Sequence, residues 1–238
     1  MKNFIGNFWT FLLAVAILPV VYGLGAGFWG SLSEARAAGA GNTGLVYFLC
    51  GFIFYVAFQI IFSKPIRVYV FGHELTHAIA GILSGGKVKS FKVGKNGGSV
   101  TLTKAGLFAT LSPYFLPVYS AILILVFAAA QFFLKNESGK VFPLFMFLFG
   151  SSVSFHIFLT VFAISQGQSD LKKYGVFFSL VLVLILNILI LELIFAIFFK
   201  APAGVFIKDT VKYVQSGYSL FYNTGEQIKC LILQTMKK

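Results

Sequence analysis

The sequence predicts an all-α polytopic membrane protein of about six transmembrane helices, with a small β-hairpin after the third helix. Of the 238 residues, 58% are hydrophobic and only 11% are charged, a balance that excludes an ordinary soluble domain. Apolar runs of about 20 residues, the length that crosses a bilayer core, recur along the chain. Short β-branched runs on either side of Asn96-Gly97 predict the hairpin, over residues 87–103.

The surplus of basic residues is typical of a membrane surface. Lysines and arginines outnumber acidic residues by 19 to 7, for a net charge of +12. Most of them lie in connections and in the C-terminal tail, where anionic lipid headgroups would attract them. We expect no nucleic-acid partner, because the chain offers no basic soluble domain. Cys50 and Cys230 lie far apart with no C-x-x-C spacing, so they predict neither a disulfide framework nor a metal site.

The predicted spans form one domain over residues 1–200. The first span could be a signal peptide, since small residues follow it, but it is long for one, so we expect a retained helix. Pro113 and Pro117 interrupt the fourth span and predict a kink, which is either structural or lines a path for substrate or water. The tail, 201–238, has the spacing of a basic amphipathic helix lying in the membrane interface. The six spans cover residues 4–29, 45–62, 66–84, 105–134, 141–165 and 174–199.

The third span contains the sequence His73-Glu74-Leu75-Thr76-His77. On a helix, positions i and i+4 are neighbours on one face, so His73 and His77 can bind one zinc ion. Glu74 can then serve as general base toward a water molecule at the metal. The motif could arise by chance, but two of the chain's three histidines fall here. Each such group at bilayer depth costs on the order of 2 to 3 kcal/mol unless it is paired, so we predict a zinc site.

A third ligand must come from elsewhere, because a catalytic zinc takes three protein ligands and keeps one open position. Asp170 lies in a polar stretch at the start of a predicted helix, where an acidic side chain also suits the helix dipole. It could equally be a helix cap. His156 and Glu192, both inside apolar spans, are the other candidates, and His156 could instead be a core residue hydrogen-bonded to a carbonyl. We favour Asp170.

These residues resemble a known family. The His73–His77 motif in a membrane helix, Gly85-Gly86-Lys87-Val88 after it and a hairpin closing at Gly97-Gly98-Ser99-Val100 are similar to the compact bacterial branch of the site-2 proteases, which are intramembrane zinc metallopeptidases. The likeness is close over roughly residues 67–104 and looser to about residue 190. It implies that Glu74 is the catalytic base and that a downstream Asp is the third ligand. The family usually places that Asp in an L-D-G sequence, where this chain has Ser169-Asp170-Leu171.

The resemblance and the motif together predict a zinc metalloendopeptidase that hydrolyses peptide bonds in or near transmembrane segments of other membrane proteins. We expect a multi-pass protein of the bacterial cell membrane. The edge of the hairpin would hold extended substrate as an added strand, unless the hairpin is only a basic surface loop. No stretch is polar enough for a PDZ-like domain, so we expect substrate selection to depend on the membrane part or on partners.

Two other functions remain open. A membrane zinc-binding transporter or scaffold without protease activity would also place histidines and a glutamate in a membrane helix, and Glu74 would then be dispensable or a ligand. A metallopeptidase with the motif in a soluble domain is disfavoured, because both flanks of the motif are apolar. The lysines of the short loops favour a cytoplasmic hairpin, whereas those of the tail favour the opposite orientation.

Overall fold

The computed structural model describes residues 2–39, 42–62, 64–94, 97–133 and 138–235. These residues are mostly helical, and two short strands pair as a hairpin, so the fold class is confirmed in outline. Lys95 and Asn96 of the predicted turn lie outside the described residues. The helices are α1 (Lys2–Ala16), α2 (Leu18–Ala37), α3 (Asn42–Ile61), α4 (Ile66–Leu83), α5 (Leu107–Leu111), α6 (Val118–Phe133), α7 (Ser138–Ser165), α8 (Ser169–Lys173), α9 (Val176–Phe199) and α10 (Ala203–Thr235), and the strands are β1 (Val88–Val93) and β2 (Gly98–Leu102).

The number of spans differs from the prediction. Among the described residues, four helical segments are long and apolar enough to cross a membrane, which is consistent with a multi-pass membrane protein: Phe8–Ala37, Thr43–Ile61, Val141–Ser165 and Val176–Phe199. A fifth span is present if Leu107–Tyr114 and Val118–Phe133, which meet at 81° beside Pro117, count as one. The predicted count of about six is not confirmed, because α4, which carries Arg67, His73, Glu74 and His77, is not among these segments.

The chain divides into two compact units. The first comprises Met1–Ala40 and Leu180–Lys238. Here α10 packs closely along α2, because Gly23 and Gly27 leave no side chain between the helices, and a Cβ at either would collide with Val214 or Thr210. The location of α10 in the membrane interface stays a prediction.

The second unit, Gly41–Ser179, holds the hairpin and α4. β1 and β2 are antiparallel, with Phe91 opposite Val100 and Val93 opposite Gly98. The hairpin lies against α4 because Gly81 leaves room for the Leu102 side chain, which a Cβ there would meet at 2.5 Å. The hairpin thereby brings β2 next to the helix that carries the His73–His77 motif.

Candidate metal centre

His73 and His77 lie one turn apart on the same face of α4, with ring centroids 4.9 Å apart. The helix ends as its sequence requires. Gly85 follows it with a φ of +76°, the left-handed conformation that favours glycine. The N–H groups of Gly85 and Gly86 donate to the carbonyls of Ile82 and Gly81, both at 2.9 Å. The chain therefore leaves α4 directly into the hairpin.

Asp170, on the short helix α8, completes a cluster with the two histidines. Its Oδ2 atom lies 3.3 Å from His77 Nε2 and 3.6 Å from His73 Nε2. One donor atom from each residue lies within 4.8 Å of the others, an arrangement that can hold a metal ion. Zinc bonds of about 2.0 to 2.2 Å at tetrahedral angles place neighbouring ligand atoms about 3.3 to 3.6 Å apart. The two Asp170 distances therefore fit a zinc ion bound between the three side chains.

The hydrogen bond of His77 supports a cation at this position. Its Nδ1 atom lies 2.7 Å from the carbonyl oxygen of Ala109, and since a carbonyl only accepts, Nδ1 carries the hydrogen. In a neutral imidazole, Nε2 then presents a lone pair toward the Asp170 carboxylate, which also has only lone pairs to offer. Two acceptors at this distance need a positive charge between them, either a metal ion or a second imidazole proton. The same carbonyl would orient His77 as a ligand.

Asp170 is ionised at neutral pH in this environment. Burial by itself would raise the pKa of the carboxyl. When the second imidazole proton is present, hydrogen bonds and charge interactions with His73 and His77 outweigh burial and hold that pKa well below its usual range. A carboxylate, rather than a carboxylic acid, is the form that binds a metal ion. Asp170 is therefore in the correct protonation state for a ligand.

Two further residues hold Asp170 in place, and sequence reasoning identified neither. The Tyr114 hydroxyl donates to Asp170 Oδ2 at 3.3 Å, and its buried ring packs edge-on against His73 with centroids 5.4 Å apart. Lys173 donates to the Ala105 carbonyl at 3.1 Å, which ties α8 to the segment before α5. The only signal in the sequence was Ser112-Pro113-Tyr114, which predicted a kink. The same turn, Ser112–Tyr114, carries the Tyr114 ring that contacts His73.

Glu74 is buried on α4 beside β2. A Cβ on Gly98 would come within 2.7 Å of both Glu74 Cγ and Val70 Cγ1, so β2 passes directly over the glutamate. Val100 of β2 lines the same cavity as Glu74. A cavity of about 460 Å³ joins Glu74, the three residues of the cluster and β2. The carboxylate thus lies in the same cavity as the candidate metal ligands without being one of them.

The other two candidates for the third ligand lie elsewhere. His156, on α7, lines a separate small cavity and is not part of the cluster. Glu192, in the first unit, accepts a hydrogen bond from Ser31 at 2.7 Å. The structure thus brings His73, His77 and Asp170 together, with Glu74 adjacent, and their roles as ligands and base stay predictions.

Comparison with known proteins adds no family. No protein-family model matches the chain, and neither does any curated protein or solved structure. The likeness to site-2 proteases therefore depends on the sequence motifs alone.

Proposed function

We propose that this protein is an intramembrane zinc metalloprotease, which hydrolyses peptide bonds in or near transmembrane segments of other membrane proteins. The observation that carries the proposal is the convergence of His73, His77 and Asp170 in the cavity that also holds Glu74. Nitrogen and carboxylate donors in this number are typical of catalytic zinc, which leaves its fourth position open. Zinc bound there would polarise a peptide carbonyl and lower the pKa of a water molecule.

We include α4 as a sixth span in a bacterial cell membrane. Much of its polarity lies on the face that carries the cluster, and apart from Arg67 in its first turn, the large residues that it exposes are apolar. Phe71, Ile79, Ile82 and Leu83 are 44%, 41%, 57% and 75% exposed, respectively. A helix with an apolar outer face and polar groups directed inward is compatible with lipid, provided that the polar groups are bound or paired. Metal binding would meet that condition.

Glu74 is the proposed general base. Burial beside the cluster places its carboxylate where it can take a proton from water as the water attacks the substrate carbonyl, and return that proton to the leaving amine. His73, His77 and Asp170 hold the metal, and Tyr114 and Ala109 orient two of these ligands.

The free edge of β2 is the proposed substrate site. Backbone groups of an antiparallel strand alternate between the paired and the free edge. Because the Gly94 N–H donates to the Gly97 carbonyl, alternation from that pair directs the Val100 backbone away from β1. The backbone groups of Gly98 and Leu102, two residues away on either side, therefore belong to the same free edge, which lines the cavity. A transmembrane segment of a substrate, once unwound, could add here as a strand beside the metal. Extended substrate exposes the peptide bonds that a helix shields.

The test compares the full chain with Glu74→Gln in detergent or lipid vesicles, measuring zinc content and cleavage of a model transmembrane substrate. We expect about one zinc per chain for both proteins and cleavage by the native chain only. Glu192→Gln, the same change at another buried glutamate, is the control and should leave zinc content and cleavage unchanged. A native chain without zinc would overturn the site. A zinc-loaded chain that cleaves nothing, with or without Glu74, would favour the transporter or scaffold.

A further inference from the structure

His156 is the one histidine that the proposed mechanism does not use. It lies on α7, inside the span Val141–Ser165, and its Nε2 atom is buried without a hydrogen-bond partner among the described residues. A buried polar atom left without a partner destabilises the fold, so an unpaired imidazole nitrogen in a membrane helix requires an explanation.

His156 also lines a small cavity. It has a volume of about 20 Å³ and is lined by His156, Tyr69, His73, Thr76 and Tyr119, together with apolar residues. A water molecule needs roughly 10 to 15 Å³ of such space and two to four polar partners. The cavity therefore has the size and the polar lining for one water molecule.

Tyr69 connects this cavity to the metal cluster. Its hydroxyl lies 3.0 Å from His73 Nδ1. When His73 binds a metal through Nε2, Nδ1 carries the hydrogen and donates it to the Tyr69 oxygen. The Tyr69 O–H group must then donate to another acceptor, and Tyr69 lines the same cavity as the unpartnered His156 Nε2.

We propose that a buried water molecule in this cavity links Tyr69 to His156, and that His156 is thereby a positioning residue for the metal ligand His73. The water accepts the Tyr69 hydrogen and pairs with His156 Nε2. The Thr76 hydroxyl already donates to Gly72 and the Tyr119 hydroxyl to Val68, so their oxygens keep lone pairs for the second hydrogen of the water. This chain of hydrogen bonds fixes the orientation of the His73 ring and its tautomer. The inference depends on the proposed metal site and adds His156 to its support.

Zinc affinity of the full chain in detergent, measured by competition with a chelator, tests this arrangement. We expect Tyr69→Phe and His156→Leu each to weaken zinc binding by about 10- to 100-fold, the range for residues that orient a metal ligand. Both changes break the same chain of hydrogen bonds. The double variant should therefore bind zinc about as weakly as the weaker single variant. His156→Gln, whose amide can still bind water, should recover most of the loss.

The control is Thr160→Val, which lies one turn from His156 on α7 and removes another buried oxygen without a partner among the described residues. It should bind zinc as the native chain does. The inference is wrong if His156→Gln and His156→Leu both bind zinc as tightly as the native chain, or if the effects of Tyr69→Phe and His156→Leu multiply in the double variant. If His156→Leu does not fold, the zinc affinities of Tyr69→Phe and of the double variant Tyr69→Phe with His156→Gln test the inference instead. A native chain that binds no zinc would overturn the proposed function together with this inference.

Discussion

Asp170 Oδ2 lies 3.3 Å from His77 Nε2, although the two residues are 93 positions apart in the chain. We predict that Asp170→Ala weakens zinc binding by more than 100-fold, because removal of a ligand should exceed the 10- to 100-fold effect of residues that only orient one. Zinc content after dialysis is the measurement. Lys172→Ala, an exposed neighbour on α8, should keep its zinc. Retention of one zinc per chain by Asp170→Ala would show that another residue is the third ligand.

Tyr114→Phe removes one hydroxyl from the cluster and leaves the ring against His73 in place. Because that hydroxyl donates to the Asp170 oxygen nearest the histidines, we expect zinc affinity to fall by about tenfold or more. Tyr55→Phe is the matched control, since its hydroxyl donates to Gln59 on α3, away from the cluster. Equal zinc affinities for the two variants would contradict a role for Tyr114 at the metal.

Gly98→Ala tests the close passage of β2 over Glu74. The new Cβ would come within 2.7 Å of Glu74 Cγ and Val70 Cγ1, so either the strand or the glutamate must move. We expect cleavage to fall by at least about tenfold, since misplacement of a catalytic group by about 1 Å can cost a hundredfold. Zinc content should stay near one per chain, because no ligand is displaced.

Gly106→Ala is the control for this change, because a Cβ at that position meets nothing within 4 Å. Native cleavage by Gly98→Ala would mean that Glu74 and β2 can separate without cost. Loss of zinc from Gly98→Ala would instead show that β2 supports the metal ligands themselves.

The pairing of the two histidines could be predicted because its geometry is local. His73 and His77 lie on one face of α4 for the same reason that any i and i+4 pair does. The hairpin was predicted from its Asn-Gly turn and its β-branched strands, signals that are also local. Neither prediction required knowledge of how distant segments pack.

The parts of the site that sequence reasoning missed depend on distant contacts. Tyr114 reaches Asp170 across 56 residues, and its sequence context shows only a proline-induced break. In the sequence, Gly98 looks like any glycine beside a turn. Its closeness to Glu74 follows from how the hairpin lies on α4. The span count is not confirmed for a related reason, since mean hydropathy averages the inward and outward faces of α4, which differ in polarity.

The crossing of α3 and α7 yields a prediction about stability rather than activity. A Cβ on Gly150 would collide with the carbonyl of Phe48, and one on Gly51 with the carbonyl of Phe147, so the two helices touch backbone to backbone. Gly150→Ala should destabilise the second unit by about 1 to 3 kcal/mol, the usual effect of overpacking, and lower its melting temperature by several degrees.

Gly139→Ala, on the same helix, is the control, because a Cβ there meets nothing within 4 Å. It should be neutral or gain about 0.5 to 1 kcal/mol from helix propensity. Thermal unfolding of the metal-free chain in detergent separates the two, and equal melting temperatures would mean that α3 and α7 do not depend on this contact.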